Sequence, residues 1–471
     1  MGDDEMIGRE YEKNELLKAY SSKYSEFVAV YGRRRVGKTF LIRETFGYKF
    51  TFQHAGLKKK ATPIQLDRFR QSLVECGYRD CPALPNWYKA FDAVKVVIER
   101  SADSKKVVFI DEMPWMDRPN ANFLSALENF WNAWASARKD ILLIVCGSAA
   151  SWVLKRVVHN KEGLHNRVTY RIPLQPFSLR ECEEYAESLD LNLNREQLAE
   201  CYMVLGGIPY YWHFLDKGLS VAQNIDELFF AGHDKLENEF EELYESLFQS
   251  PEPYVEIVTA LARKKIGMTR DELCENTELA NSGNLSACLK DLERCGFVRK
   301  YVPLGRKAKG CVYQLMDNYT LFYFKFIEPN HGIDKRHWTK MLGTSVRNAW
   351  AGLAFERLCL QHVDQIKEAL RIGGVHANIH AWRSPHAQID LLIDRDDGIV
   401  NLCEMKFASD EFEVTAADDR DMKRRMAELR EQSGTKKSLH VTYVTTYGLK
   451  KNSYAKNVQS EVTLDKLFER I

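Results

Sequence analysis

Along the first third of the chain, short apolar runs alternate with stretches of helical period. Phe27-Val28-Ala29-Val30-Tyr31 is a continuous β-prone run, and Val107-Val108-Phe109-Ile110 and Ile141-Leu142-Leu143-Ile144-Val145-Cys146 repeat it. Runs without alternation predict strands buried on both faces, as in a parallel sheet covered by helices. Phe40 to Phe46 continues the first of them as a helix. From about Pro251 the pattern changes. Tyr254–Lys264 predicts an amphipathic helix, and Thr269 with Glu272 forms the capping-box signature of a second. In a third, Asn284–Cys295, the residues Leu285, Leu289 and Leu292 share a face. Gly296–Val302 and Gly310–Leu315 predict two strands around a basic hairpin, Arg306-Lys307-Ala308-Lys309. Asp317 to Phe326 is an aromatic-rich, buried connector. The last stretch predicts a helix over Trp350–His362, strands over Ile389–Asp394 and Ile399–Lys406, and a helix over Asp419–Glu431.

Chemistry enters between the first strand and its helix. Val30-Tyr31-Gly32-Arg33-Arg34-Arg35-Val36-Gly37-Lys38-Thr39 fits G-x-x-x-x-G-K-[ST] without a mismatch. Gly32 and Gly37 let the backbone curl until its N–H groups face one anion, and the helix N-terminus adds partial positive charge. Lys38 is placed to reach the β- and γ-phosphates of a nucleotide, and the Thr39 hydroxyl to sit on Mg²⁺. The predicted phosphate-binding set is Gly32, Arg33, Arg34, Arg35, Val36, Gly37, Lys38, Thr39 and Phe40. Asp111, at the end of the second strand, is the expected second Mg²⁺ ligand. Glu112 is placed to orient or deprotonate the attacking water. Ser148, ending the third strand, serves either the γ-phosphate or as a helix cap. Arg167 and Arg171 are candidates for a transition-state arginine.

Composition narrows the setting. The 471 residues predict roughly three domains. Basic and acidic residues balance, 67 against 66, so total charge decides nothing about nucleic acid. Eleven scattered cysteines without a C-x-x-C pair argue against a disulfide framework or a zinc site and for a reducing cytoplasm. Met1-Gly2-Asp3-Asp4-Glu5 is no signal peptide, and no run reaches membrane-spanning length, so no membrane partner is expected.

Taken in order, these pieces resemble the archaeal-type P-loop ATPases of the STAND branch of the AAA+-like NTPases. The resemblance is carried by Ile7-Gly8-Arg9-Glu10, the arginine-rich loop, Phe109-Ile110-Asp111-Glu112-Met113-Pro114-Trp115, Cys146-Gly147-Ser148, and Leu205-Gly206-Gly207-Ile208-Pro209-Tyr210-Tyr211. It implies ATP and Mg²⁺ as ligands, ATP hydrolysis, and a helical lid near the nucleotide. His165-Asn166 departs from the family pattern before Arg167. Read from the residues, Gly206-Gly207 ends a helix and Pro209 restarts the chain.

Three helices and a hairpin make a winged helix over the middle segment. Such a fold can present its third helix and wing to DNA, or it can relay the nucleotide state by packing alone. Its third helix carries a mixed set: Asn284, Ser286, Lys290, Asp291 and Glu293. In the last segment, Asp390 and Glu404-x-Lys406 read D…E-x-K. Residues two apart on a strand share a face, so Glu404 and Lys406 project together. The arrangement resembles the PD-(D/E)xK nucleases, with Glu356 as the helical acid. That resemblance implies Asp390 and Glu404 as metal ligands, and catalysis by Glu356, Asp390, Glu404 and Lys406. Lys423, Arg424, Arg425 and Arg430 could face a phosphate backbone.

The expected fold is therefore α/β: a P-loop NTPase with parallel sheet and helical lid, then a winged helix, then a C-terminal α/β restriction-endonuclease-like domain. The expected segments are 1–180, 181–250, 251–330 and 331–471. The expected function is ATP hydrolysis coupled to a DNA-binding or nuclease-like module. The alternative is a signalling or scaffold switch whose last domain is inert. An oligomer is left open.

Overall fold

The computed structural model describes residues 6–147, 150–158, 164, 166–232, 235–236, 238–248, 250–305, 310–384 and 387–471. The chain divides into two compact units. One is residues 1–176 with Glu242–Ser250; the other is Phe177–Glu241 with Pro251–Ile471.

The first unit is built on a five-stranded parallel sheet. Its strands are β1 (Glu26–Tyr31), β2 (Phe52–Ala55), β3 (Lys106–Asp111), β4 (Ile141–Gly147) and β5 (Tyr170–Pro173), in spatial order β2-β3-β4-β1-β5. The apolar runs take the places their pattern predicts. Phe27 to Val30 and Ile141 to Cys146 have no measurable exposure. Transfer of that surface out of water stabilises the sheet by roughly 25 cal/mol per Å². Helices Thr62–Glu75, Trp87–Arg100 and Phe123–Ala133 pack an aromatic layer over one face. Phe69 meets Trp87 edge-on at 5.4 Å, and Phe91 stacks on Phe130 at 5.3 Å. Because all the strands run parallel, Gly32, Asp111 and Gly147 emerge at one edge of the sheet, where open α/β sheets bind ligands.

In the second unit, helix Arg195–Leu205 opens with a capping box between Asn194 and Gln197 and stops at Gly206; Pro209 begins the short helix Pro209–Trp212. The middle segment folds as helices Glu252–Ala262, Arg270–Asn276 and Gly283–Arg294. The Thr269–Glu272 capping box forms as its residues predict. The strands are β6 (Met268–Thr269), β7 (Val298–Tyr301) and β8 (Val312–Leu315), antiparallel in order β6-β8-β7. The two-residue β6 carries no pattern of its own. The basic hairpin residues 306–309 lie outside the described residues. The aromatic connector is helix Asn318–Phe322 and its continuation to Ile327, with Phe322 edge-on to Trp338 and Trp350 at 5.0 and 5.5 Å.

The last segment places helix Ser345–Gln361 before a second sheet. Its strands are β9 (Ala377–Arg383), β10 (Gln388–Arg395), β11 (Ile399–Lys406), β12 (Ser438–Thr445) and β13 (Ser460–Thr463), in order β13-β12-β11-β10-β9. β9, β10 and β11 are antiparallel; β11, β12 and β13 are parallel, with helix Ala416–Ser433 as the crossover.

Candidate functional site

Residues 32–37 form the turn between β1 and helix Lys38–Thr45. Gly32 is required by a neighbour. The chain leaving β5 passes so close that a Cβ at Gly32 would stand 2.2 Å from the Leu174 carbonyl oxygen. Gly37 caps the helix with φ 92°, a Cβ there would meet nothing within 4 Å, and no side chain caps the helix. The first-turn N–H groups therefore keep no side-chain partner at a helix start beside open space, the arrangement an anion requires. Arg9, left-handed at φ 67° and buried, braces the loop. Its Nη2 donates to Gln175 O at 2.7 Å and to Val36 O at 3.4 Å.

Lys38 is 6% exposed, and its Nζ donates to the carbonyls of Gly32 (3.0 Å) and Arg33 (2.8 Å). Thr39 Oγ1 donates to Asp111 Oδ2 at 2.7 Å. That bond joins the phosphate loop to the end of β3. The two residues expected to share Mg²⁺ thus stand side by side although 72 positions apart. A hydroxyl and a carboxylate are hard oxygen donors, and Mg²⁺ takes one or two such protein ligands while keeping waters; the donor set fits that ion. Asp111 Oδ1 accepts the Glu112 amide at 2.8 Å. Glu112 is half-buried with φ 49°, a left-handed backbone of the kind that concentrates at functional sites. Burial, then the charge of Asp111, pushes the Cys146 thiol well above its ordinary range, with Lys38 pulling the other way. Cys146 is thereby kept neutral beneath the site.

The other predicted loop residues divide. Val36 is buried, while Phe40 is 45% exposed. Arg34 Nη2 and Arg35 Nη2 both donate to Glu242 Oε2, at 3.1 and 3.2 Å. Arg171 lies on β5 opposite Ala29, in mid-strand and exposed, and Arg167 is exposed in the turn before it. Neither is brought to the loop by a hydrogen bond or ion pair among the described residues. Ser148 and His165 lie outside the described residues. Sequence reasoning did not assign Arg9 or Glu242 a role. Arg9 sat inside a matching leader, so its signal was present; Glu242 sits in an acidic helical stretch with nothing to single it out.

The second constellation assembles in two pairs. Glu404 and Lys406 project together as their spacing predicts, 2.9 Å apart. The other Glu404 oxygen is held by Arg425 at 2.8 Å, and Lys406 lies over the Phe412 ring. Glu356 pairs with Lys265 at 2.9 Å. Burial first, and then Asp390, push the Glu356 carboxyl up to about 7 against the pull of Lys265. The pairing of β10 with β9 shifts register between Ile389 and Leu392, and Arg299 Nη2 donates to the Asp390 carbonyl at 3.2 Å. The charge of Asp390 is felt by Glu356, Arg357 and Arg299. Glu404 is the next residue across β11 from Asp390, since Leu391 pairs with Cys403, but two carboxylates make no hydrogen bond or ion pair with each other among the described residues. Nor, among those residues, do three His, Cys, Asp or Glu side chains stand together as a metal ion would need. Lys423, Arg424 and Arg425 pair with Asp419 and Asp421 on their own helix, so three of the four cations expected to face phosphate are already neutralised.

Residues 6–214 match a family described as an ATPase domain predominantly from Archaea. Over 402 residues the chain is 25% identical to an uncharacterized protein of Methanocaldococcus jannaschii, spanning 83% of this chain and 84% of that protein. It is similar in structure to the Walker-type ATPase of Pyrococcus abyssi, with TM-score 0.48, 17% identity, and 68% and 96% of the two chains covered. It is also similar to the ORC2 protein of Aeropyrum pernix in its ADPNP–ADP complexes, with TM-score 0.46, 17% identity, and 72% and 96% covered. The family match and the loop geometry together support a P-loop ATPase domain in the first unit. No helix among the described residues is long and apolar enough to cross a membrane.

Proposed function

We propose that the first unit binds and hydrolyses ATP, and that the remainder of the chain responds to its nucleotide state. The observation that carries this is the 2.7 Å bond between Thr39 and Asp111, which sets a hydroxyl and a carboxylate together beside the loop lysine. Lys38 would trade two neutral carbonyl partners for charged phosphate oxygens, which make the stronger, charge-assisted bonds. Thr39 and Asp111 would hold Mg²⁺, whose chemistry is to neutralise charge developing on the phosphates. Glu112, fixed by its strained backbone at the end of β3, would orient the attacking water. Lys38→Ala should lower ATP turnover about 100-fold or more, the scale of losing one electrostatic donor at a reacting centre. Undiminished turnover would overturn the proposal.

The middle segment, with its three helices and sheet, is read as a winged helix. The last segment, with its helix, antiparallel strands and crossover, is read as restriction-endonuclease-like. Of the two readings of that last domain, the pairing of Glu404 with Lys406 and Arg425, and of Glu356 with Lys265, favours the inert one. Glu404 and Glu356 each lie against protein cations. Purified protein should leave supercoiled plasmid intact in Mg²⁺ or Mn²⁺. Nicking that Glu404→Ala abolishes would reinstate the nuclease.

A further inference from the structure

Helix Glu239–Leu247 spans the boundary of the two units: Glu242–Ser250 packs with the nucleotide domain, whereas Glu239–Glu241 and the chain from Pro251 belong to the second unit. The segment buries Leu243, Tyr244 and Leu247, and its acidic residues add ion pairs to the phosphate loop and to the lysines after β2. One oxygen of Glu242 takes both Arg34 and Arg35 at 3.1 and 3.2 Å. One turn on, on the same helical face, Glu245 takes Lys58 and Lys59 at 3.3 and 3.1 Å. Arg34 and Arg35 belong to the loop that wraps the expected phosphates, so the carboxylate occupies cations that a polyphosphate would also seek. We propose that Glu242 is a competitor for the nucleotide. It holds the two loop arginines until a nucleoside triphosphate displaces it, and the helix, released from the loop but still seated by Leu243, Tyr244 and Leu247, passes the nucleotide state along the chain.

The inference rests on the triphosphate reading of the loop. Both partners of the exchange are anions making charge-assisted bonds, and a triphosphate carries the greater charge, so the direction is set. The exchange stays cheap because the pairs are open to solvent. Glu242 is 46% exposed, Arg34 26% and Arg35 14%, and pairs of that kind are weak and screened by salt.

Two measurements on the full chain test this. In the first, a fluorescent ATP analogue is titrated into wild type, Glu242→Gln and Lys38→Ala. The near-isosteric Glu242→Gln removes the competing charge and should bind roughly threefold to tenfold tighter than wild type, the change that two weak ion pairs represent. The gain should shrink in high salt. Equal affinity, with Lys38→Ala still failing to bind, overturns the competition and leaves the ATP site standing; no binding by wild type removes the ATP site itself. The second measurement needs no variant. Amide exchange in Glu239–Leu247 should speed up when a slowly hydrolysed ATP analogue is added. Unchanged or slower exchange overturns the proposal.

Discussion

His362 is 1% exposed, with both ring nitrogens engaged: Nδ1 lies 2.8 Å from the Leu358 carbonyl and Nε2 accepts the Leu179 amide at 3.1 Å. Nε2 accepts only while the ring is neutral. Burial pulls the pKa down to about 4, with the Leu358 carbonyl opposing. The unfolded chain, with an ordinary value of about 6.5, takes up the proton first as pH falls. The stabilisation from this ring is therefore full above about pH 6.5, is lost between there and about 4, and changes no further below that. By this linkage, wild type should lose about 2 kcal/mol between pH 7 and pH 5 that His362→Gln does not. Denaturant unfolding at the two pH values checks it; equal losses would refute it. Residues of this kind are illegible in a sequence, because a lone histidine does not reveal its burial. The phosphate loop is legible for the opposite reason. Gly32, Gly37, Lys38 and Thr39 are contiguous, and their roles follow from backbone geometry and charge. Glu242 reaches Arg34 across 208 positions, and only the fold makes that contact visible.

Elements were legible where periodicity and termination signals agreed. β1, β3 and β4 read as uninterrupted apolar runs, and the Thr269–Glu272 cap formed as written. β9 was not legible, because its burial does not follow the residue pattern: apolar Ile379 is exposed, while the neighbours Ala381 and Trp382 are both buried. The pairing of Glu356 with Lys265 was not legible either, since the two residues stand on separate segments 91 positions apart and only the fold brings them together. The glycine pair after helix Arg195–Leu205 shows how a termination signal can hold a second meaning. Gly206 ends the helix. Gly207 is a close approach: its carbonyl accepts the Phe177 amide at 2.6 Å, and a Cβ on it would stand 1.8 Å from the Phe177 carbonyl oxygen. Backbone cannot yield as a flexible side chain would. Gly207→Ala should destabilise the second unit by about 2–3 kcal/mol, the scale of overpacking in a well-packed interior. A denaturation midpoint equal to wild type would show that Phe177 moves aside at no cost.

At the scale of the whole molecule, the sequence suggested that residues 331–471 form a domain of their own. The structure sews them to the middle segment with buried polar bonds. Arg299 on β7 donates to Gln314 at 2.5 Å and to the Asp390 carbonyl, and burial beside Arg357 pulls its guanidinium down to about 10. Arg357, from helix Ser345–Gln361, donates to the carbonyls of Leu315 and Lys265. The Leu304 amide bonds to Ala381 on β9 at 3.1 Å, and His380 meets the Val302 carbonyl at 2.9 Å. These polar bonds leave no hydrophobic pattern in the sequence; they add to the aromatic contacts of Phe322 and Phe326 with Trp338 and Trp350, which cross the same boundary. Cutting the chain after residue 330 would strand Arg299 without Asp390, and the Lys265 and Leu315 carbonyls without Arg357. A hydrogen bond to a charged group is worth about 1.5–3 kcal/mol, so losing several of them takes a large share of the stability of a small domain. A chain ending at residue 330 should therefore lose protection over residues 251–330 in limited proteolysis, while the parallel-sheet unit, whose core owes nothing to those bonds, stays resistant. Were residues 251–330 equally resistant in the shortened chain, the junction would be an adhesion between independent domains. The nucleotide state would then have to reach each of them separately.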